Sequence, residues 1–568
     1  MNDKEAVKKL LNLLKDYKKA IISIILCLLI STIFNMCIPL LSKSIMDKGF
    51  IGRDQQLLVK LVVLSATLYV ANLIIDVFKE KQRISIAAKI EYMLSKQAFS
   101  HLLKMKIDYF GNFNYAEILN SINTDISKMT SITDKGMFFV VTQMFCIAGG
   151  IIGLFLINFK MTLIVLLMIP VKYYSMKYFA KKRKTLMDVY IEKSRDYAKW
   201  FGDSIGGIRE VKLFGIYENK YSEFKEKKKF VVSEEKELNM LDQWNSTIDV
   251  LIIQFLTMII YIIGANMVFK FQLTVGSVFA FITYSTYVTE PISSILNIGY
   301  LLSGVIPSTK RFYEFMILEE EIENINVNDN PDSGDLVIQN VTFSYEKSKV
   351  VLDNINIVFP EGSKTALIGR NGCGKTTIIN LINKMYEPNQ GKILLNGQDI
   401  STYSLKKYRN LIAVVSQQVY LFNNTIRNNI ALYKRITEAE IMRAVKDSGL
   451  ESFVKEVSLD YNVGENGILL SGGQKQKIAM ARALIHNKPI IILDEATSNA
   501  DIFSEMQINN LLYSGLKNRT VILVTHKQDV LKKVERIVFM QSGKDVEIGD
   551  YESLYKNNKM FNSMIVKI

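Results

Sequence analysis

Six long apolar stretches in the first part of the chain constrain its fold more than any other feature. They cover residues 20–41, 57–78, 136–157, 161–181, 246–269 and 275–303. Each has about the 20 residues that a helix needs to cross the hydrocarbon core of a bilayer. In lipid a single segment must satisfy its own backbone hydrogen bonds, which favours helices. The sequence therefore predicts a bundle of six membrane-spanning helices.

The spacing of these stretches predicts their orientation. Only Asn158–Lys160 separates the third from the fourth, and only Lys270–Thr274 separates the fifth from the sixth. The two longest gaps, residues 79–135 and 182–245, are rich in Lys and Arg and have helical patterns. Because cytoplasmic loops carry an excess of basic residues, we expect both long gaps in the cytoplasm, as extensions of the membrane helices.

Composition excludes several other classes of protein. The net charge of +14 is spread over both halves of the chain, which argues against a nucleic-acid-binding tail. Four cysteines without a CxxC pair and three histidines make a disulfide framework or a zinc centre a poor interpretation.

The N-terminal residues 1–19 carry charges of both signs, and the first apolar stretch is too long for the core of a signal peptide. We expect that stretch to be a permanent span. Helical spacing of Val7, Leu10 and Leu14 indicates either a helix on the cytoplasmic membrane surface or a solvated lead-in.

The pattern changes after an acidic, Asn-rich segment, residues 318–334, which we interpret as a linker. It divides a membrane domain, residues 1–317, from a second domain, residues 335–568. In the second domain short β-rich runs such as TALIG and PIIILDE alternate with helical segments. This alternation predicts an α/β domain with a largely parallel sheet.

The segment Gly369–Thr376 matches the phosphate-loop pattern GxxxxGK[ST] between a predicted strand and a predicted helix. Its glycines let backbone N–H groups approach phosphate oxygens, and the helix N-terminus favours an anion. Lys375 is expected to reach the β- and γ-phosphates, and Thr376 to ligate Mg²⁺. The predicted phosphate-binding residues are Gly369, Asn371, Gly372, Cys373, Gly374, Lys375, Thr376 and Thr377.

Two carboxylates follow the apolar run that begins at Ile490. Asp494 is placed to hold Mg²⁺, directly or through water, and Glu495 to polarise the water that attacks the γ-phosphate. Cys373 has no predicted chemical role, but a thiol reagent there should block ATP binding sterically.

A second glycine-rich motif, Leu470–Gln474, precedes a helix. The N-terminus of that helix suits a phosphate, with Ser471, Gly472, Gly473 and Gln474 as the expected contacts. Since the phosphate loop already supplies one cradle, the second is useful if it closes over a nucleotide held by another copy of the domain.

With these motifs the chain resembles the ABC transporters, specifically exporters with a membrane domain and an ATPase domain in one chain. The sequence LSGGQ is that family's signature. The resemblance implies that Tyr345 stacks on adenine, that Gln417 contacts Mg²⁺ and the attacking water, and that His526 contacts the γ-phosphate. It also implies a D-loop at Ser498–Asp501, with Asp501 near nucleotide and Ala500 where the family usually has Leu, and a loop at Val463–Gly467 that touches the partner.

The resemblance further implies short coupling helices near residues 108–126 and 206–215, although Ala116 stands where glycine is common. ATP and Mg²⁺ are the implied cofactors. A second copy of the chain is the first choice of partner, a related half-transporter the alternative, and membrane lipid surrounds the bundle. A bacterial inner or plasma membrane is the expected location, with the ATPase domain in the cytoplasm.

The implied function is ATP-driven export by alternating access. A peptide or another amphipathic natural product is the first expectation for the substrate, and a lipid, a lipid-linked sugar or a drug is the alternative. An ATP-gated channel is disfavoured by the intact Glu495, and a soluble ATPase acting on DNA ends by the six apolar stretches. Ionisable residues in or near spans either face substrate or pair and snorkel: Lys60, Asp76, Lys172 and Glu290.

Overall fold

The computed structural model describes residues 1–111, 115–133, 135–321, 333–345, 349–495, 516 and 518–566. It contains two compact units. The first comprises Met1–Lys104 and Phe113–Leu318, and the second comprises Met105–Asn112 and Glu319–Ile568. The acidic start of the predicted linker, from Glu319, therefore belongs to the second unit. A short piece of chain, Met105–Asn112, belongs to it as well.

The first unit is entirely helical in the part that the structure describes. Its helices are α1 (Asp3–Leu14), α2 (Lys18–Ser44), α3 (Gln55–Leu102), α5 (Tyr115–Thr130), α6 (Lys135–Ile157), α7 (Phe159–Gly206), α8 (Ile208–Leu213), α9 (Tyr217–Phe269) and α10 (Val275–Phe315), with α4 (Asp108–Gly111) in the second unit. A π-helical turn, Ile45–Ile51, extends α2.

All six predicted apolar stretches lie within long helices: α2, α3, α6, α7, α9 and α10. Three of these, α3, α7 and α9, run without a break into the charged segments that the sequence analysis placed in the cytoplasm. Side-chain caps start two of them: in α3 Asp54 accepts from the N–H of Leu57 at 2.9 Å, and in α7 Asn158 accepts from that of Met161 at 3.1 Å. The ends of the membrane spans themselves stay a prediction.

Tyr284 of α10 lies at the centre of the helical core. Its side chain is fully buried, and its hydroxyl donates to the carbonyl of Met36 in α2. A Cβ atom at Gly153 of α6 would lie 2.6 Å from the Tyr284 ring. Only glycine therefore allows α6 to approach α10 this closely.

The N-terminal helix α1 packs against the end of α10. Asp3 pairs with Lys310 at 2.6 Å, and the Lys9 ammonium lies 4.0 Å from the centre of the Tyr313 ring. Ala6 and Leu10 are buried. Of the two alternatives for this segment, the structure favours a helix with one packed face.

The second unit holds two sheets. Their strands are β1 (Leu336–Phe343), β2 (Leu352–Phe359), β3 (Lys364–Gly369), β4 (Gln390–Leu395), β5 (Gln398–Asp399), β6 (Ile412–Val415), β7 (Ile490–Asp494), β8 (Thr520–Val524), β9 (Arg536–Gln541) and β10 (Asp545–Gly549). The described helices are α11 (Lys375–Ile382), α12 (Leu405–Arg409), α13 (Ile426–Ala431), α14 (Glu438–Asp447), α15 (Glu451–Val457), α16 (Gly472–Ile485), α17 (Gln528–Leu531), α18 (Tyr551–Asn557) and α19 (Lys559–Val566).

The larger sheet has the order β10-β9-β3-β8-β7-β6 and is parallel except for β10. All six residues of β3 are buried, as expected for a strand covered on both faces. The smaller sheet, β2-β1-β4-β5, is antiparallel. The predicted α/β fold is confirmed, with one addition: β1 and its neighbours form a separate antiparallel sheet.

Candidate nucleotide site

The phosphate loop connects the buried strand β3 to α11. Gly372 and Gly374 have φ angles of 81° and 102°, in the left-handed region that favours glycine. A Cβ atom at Gly374 would lie 2.5 Å from the side chain of Leu352. Lys375 is 7% exposed, and its ammonium donates to the carbonyls of Gly369 at 2.7 Å and Arg370 at 3.2 Å. The loop thus wraps around a buried cation.

Cys373 lies inside this loop and is buried. Its Sγ atom is 3.9 Å from the Lys375 ammonium. Block of ATP binding by a thiol reagent at this position stays a prediction.

Two carboxylates lie at the end of β7, where Asp494 is the last residue of the strand and Glu495 follows it. Burial raises the pKa of the Asp494 carboxyl, and the charge of Glu495 raises it further, while Lys375 opposes both. Glu495 has a φ of 48°, an unusual backbone conformation for this residue type. Its N–H donates to the carbonyl of Val524 in β8 at 3.0 Å, which holds the residue against the next strand.

Gln417 and His526 complete the group around Glu495. The side-chain amide of Gln417 donates to Oε2 of Glu495 at 2.7 Å. Burial lowers the pKa of His526, and Lys375 lowers it further, so the ring is neutral near pH 7. Its buried Nδ1 atom has no hydrogen-bond partner among the residues that the structure describes. The carboxylate of Glu495 and the imidazole of His526 are therefore placed where they can contact a ligand.

A cavity of about 920 Å³ is lined by part of the phosphate loop, Glu495 and His526. One wall is the phosphate loop, another carries Glu495 and His526, and a third comes from the C-terminal helix α19 through Met560, Ser563 and Met564. Sequence reasoning missed this last wall, because α19 carries no local motif and reaches the cavity only through the fold.

The signature motif stands apart from this cavity. Ser471 caps α16. Its hydroxyl accepts from the N–H of Gln474 at 3.3 Å, and the side-chain oxygen of Gln474 accepts from the N–H of Ser471 at 2.8 Å. Neither of them, nor Gly472 or Gly473, lines the cavity as described. A chain by itself thus presents the phosphate loop and the signature as two separate surfaces.

Tyr345 is half exposed and lines a different cavity. Its hydroxyl is 3.1 Å from the hydroxyl of Thr377 in α11, so it contacts the helix that begins at the phosphate loop. Asp501 and the rest of the predicted D-loop, Ser498–Asp501, lie outside the described residues. The predicted partner loop at Val463–Gly467 ends in a 3₁₀ turn, Glu465–Gly467.

The donor set near the loop suits Mg²⁺. Asp494, Thr376 and Gln417 offer carboxylate, hydroxyl and amide oxygens, the hard ligands that this ion prefers beside phosphate oxygens. Burial raises the pKa of the Asp494 carboxyl, and a cation bound nearby would offset this rise by favouring the ionised form. Those three residues are the ones that would hold the ion.

Comparisons with known proteins agree with this architecture. Residues 21–292 match the model of the ABC transporter transmembrane region, and residues 352–498 match the ABC transporter model. The structure resembles that of a bacterial Atm1-family ABC exporter with ATP bound, with a TM-score of 0.81, 97% of this chain and 98% of that chain covered, and 21% identity. That likeness supports the fold.

Relatives of similar length match nearly the whole chain. A putative multidrug export ATP-binding/permease protein, YgaD, of Bacillus subtilis (strain 168) is 29% identical over 97% of this chain and 98% of its own length. An uncharacterized ABC transporter ATP-binding protein, YknV, of the same organism is 28% identical over 98% and 93%. An ATP-dependent lipid A-core flippase of Yersinia pestis bv. Antiqua (strain Antiqua) is 28% identical over 98% and 97%.

The fold and the site define a membrane-embedded ATPase whose helical bundle and nucleotide-binding domain share one chain. The chain belongs to the ABC transporter family, as an exporter-type half-transporter. It couples ATP hydrolysis to transport across a membrane.

Proposed function

We propose that two copies of this chain form the transporter, and that each of two ATP molecules lies between the phosphate loop of one copy and the signature helix of the other. The observation that carries this proposal is the separation of Ser471–Gln474 from the cavity of their own chain. Ile468 and Leu469, next to the signature, are 76% and 59% exposed. Such apolar side chains favour a covering surface.

Within each composite site each residue has its own role. Backbone N–H groups of the loop and Lys375 bind the phosphates, and Tyr345 stacks on adenine. Thr376, Gln417 and Asp494 would hold Mg²⁺, which would supply positive charge to offset that of the phosphates. His526 meets the γ-phosphate. Asp501 contributes from the D-loop.

Glu495 acts as the general base. Oε2 of its carboxylate accepts the Gln417 amide at 2.7 Å. The other carboxylate oxygen remains to accept a proton from the attacking water. The amide of Gln417 thereby orients the carboxylate, and a change in the position of Gln417 would also move the carboxylate of Glu495.

For the substrate we propose an amphipathic molecule with a large apolar part, exported from the cytoplasmic side of a bacterial inner or plasma membrane. A lipid flippase and a putative multidrug exporter among the relatives support this choice. Those two relatives correspond to the alternative substrates expected from the sequence, a lipid or a drug, beside the peptide or other amphipathic natural product expected first.

The test is ATP-dependent transport in liposomes that contain the purified chain. We expect ATPase activity to rise with lipids or lipophilic drugs from a panel, and the same compounds to move to the side opposite the ATPase domain. Liposomes with the Glu495→Gln variant serve as the control. Stimulation and movement with hydrophilic peptides alone would overturn the substrate assignment, and absence of ATP-dependent movement for every class would overturn export.

A further inference from the structure

Glu290 is an acidic residue near the middle of a predicted membrane span. It belongs to α10 and to the predicted span 275–303, and it falls within the residues, 21–292, that match the ABC transporter transmembrane region. At about 1.5 Å per residue it lies roughly 22 Å along the helix from Val275, still inside a hydrocarbon core of about 30 Å. A carboxylate at that depth is costly, so its presence indicates a function.

The other two acidic residues of the predicted spans are each offset by a lysine. Asp76 pairs with Lys79 one turn further along α3, and Asp249 of α9 pairs with Lys172 of α7 at 2.8 Å. Glu290 forms no ion pair with any residue in the part of the chain that the structure describes. It is therefore the acidic group of the spans whose charge no described residue offsets.

The packing of α10 turns Glu290 away from the core of the first unit. Phe281, Tyr284 and Val288 are fully buried in that core. A Cβ atom at Gly150 of α6 would lie 2.8 Å from the side chain of Val288, so α6 lies directly against this face of α10. Glu290 follows Val288 by two residues, which is about 200° around a helix. Its side chain is accordingly exposed.

The uncovered side of α10 is aromatic and polar, and we call it the α10 stripe: Phe279, Thr283, Tyr287 and Glu290. The side chain of Phe279 is 44% exposed, and those of Thr283 and Tyr287 are half-buried. Their spacing in the sequence, with Glu290 one turn after Tyr287, keeps all four on one side of the helix. The hydroxyl of Thr283 donates to the carbonyl of Phe279 at 3.1 Å. The stripe thus offers aromatic surface beside the Glu290 carboxylate.

Such a stripe is poorly suited to face acyl chains. Four helices that the structure describes are apolar enough, by length and composition, to cross a membrane: α2, α3, α7 and α9. The described part of α10 is less apolar than these four. Charged residues in membrane helices face the bundle interior or a water-filled cavity. An aromatic ring beside a carboxylate suits an organic cation, because the ring face and the negative charge both attract it.

We propose that the α10 stripe binds the positively charged group of the transported molecule, with Glu290 as its counter-ion and Tyr287 as an aromatic contact. The proposal rests on the proposed export of an amphipathic molecule, and it narrows the substrate class to amphipathic cations. A lipid whose head group carries phosphates would instead bring a second negative charge next to Glu290. That arrangement is unfavourable where the dielectric constant is low.

Two ions of similar shape and opposite charge test the proposal: tetraphenylphosphonium and tetraphenylborate. Equilibrium binding of each ion to the purified full-length chain is measured in lipid nanodiscs without nucleotide. The comparison is made between variants for each ion, so that partition of the ion into lipid cancels. Glu290→Gln should weaken phosphonium binding by about tenfold or more, as expected for loss of a desolvated charge pair. Binding of the borate should stay unchanged or become tighter.

Conservative variants separate charge and ring from shape. Glu290→Asp keeps the charge and should retain most of the phosphonium binding. Tyr287→Phe keeps the ring and should bind the phosphonium as the wild type does, whereas Tyr287→Leu should weaken binding by about threefold or more.

The matched control is Asp76→Asn. It removes a carboxylate of a predicted span that Lys79 already offsets, so phosphonium binding should stay within about twofold of the wild type. Thermal unfolding in detergent checks that each variant retains its fold.

Three results would overturn the proposal: phosphonium binding that is equal in the wild type and Glu290→Gln, an equal loss of borate binding in that variant, or no measurable phosphonium binding to the wild type. A failure of the proposed export is distinguishable, because binding is measured without nucleotide. If phosphonium binding depends on Glu290 and ATP moves no compound, export is wrong and the cation site remains. If ATP drives transport and Glu290→Gln binds the phosphonium normally, the cation site alone is wrong.

Discussion

At the scale of single residues, Glu495 combines an unusual backbone conformation with a hydrogen bond from Gln417. Left-handed backbone at a non-glycine residue persists only where its surroundings enforce it, and here the N–H of Glu495 is held by β8. The proposed base is therefore placed by the fold before substrate arrives.

We predict that Glu495→Gln binds MgATP with nearly wild-type affinity and loses turnover by about 10²-fold or more, the usual contribution of a general base. The new amide can still accept the Gln417 bond, so the geometry should survive. Steady-state hydrolysis and equilibrium binding of a fluorescent ATP analogue separate the two effects. Turnover within tenfold of the wild type would remove Glu495 from the role of base.

His486, at the end of α16, makes the second unit sensitive to acid. Burial, with help from the neighbouring cations Lys434, Lys488 and Arg482, lowers its pKa to about 4. The unfolded chain has a histidine pKa near 6.5 and so binds the proton first. Stability linked to His486 is therefore complete above about pH 6.5 and is lost as pH falls towards 4.

The variant His486→Asn should show a flatter dependence of melting temperature on pH between 7 and 4.5 than the wild type. Carboxyl groups titrate in the same range, so the comparison is the difference between the two proteins at each pH. Parallel curves would show that His486 contributes nothing to acid sensitivity.

At the scale of elements, α7 and α9 are joined by ion pairs in two different environments. Lys172 is 1% exposed and pairs with Asp249 at 2.8 Å, inside two of the predicted membrane spans. Arg183 pairs with Asp242 at 2.7 Å further along the same helices, with 30% and 43% of these side chains exposed. Lys172, expected from the sequence either to face substrate or to pair and snorkel, is paired in the structure.

We predict that Asp249→Leu destabilises the first unit by about 3–5 kcal/mol, because it leaves the Lys172 charge buried without its partner. Lys172→Met combined with Asp249→Leu should recover most of that loss. Asp242→Leu is the matched control and should lose no more than about 1 kcal/mol, since its pair is solvated. Thermal unfolding in detergent compares the wild type with the three variants. Equal losses of stability in Asp249→Leu and Asp242→Leu would contradict the prediction.

At the scale of the whole molecule, the composite site predicts that ATPase activity depends on which copy carries which mutation. Two copies fused in tandem can carry Lys375→Ala and Ser471→Arg either in the same half or in different halves. If each site joins the loop of one copy to the signature of the other, different halves leave one intact site, and the same half leaves none.

ATPase activity should therefore survive, at a reduced level, only with the two mutations in different halves. The fused wild-type protein and each single mutation provide the controls. The opposite pattern, with activity when both mutations share one half, would show that each chain builds its own complete site.

Much of this molecule follows from local sequence. Apolar length predicts the long helices α2, α3, α6, α7, α9 and α10, because a helix in lipid depends only on its own residues. The phosphate loop, Asp494 and Glu495 follow from short motifs whose glycines and carboxylates act through their immediate neighbours. The signature helix α16 is likewise predictable, since Ser471 and Gln474 cap it within one turn.

What the sequence alone determined, then, is the class of protein and its fold class, and it also predicts which residues touch phosphate. Only the tertiary structure placed α19 at the nucleotide cavity, β1 in an antiparallel sheet, and Asp108 and Tyr386 on one cavity near Tyr345. These contacts join residues hundreds of positions apart. Their physical reason is long-range packing and ion pairing, such as Arg409 with Glu321, which leave no period or motif in the chain.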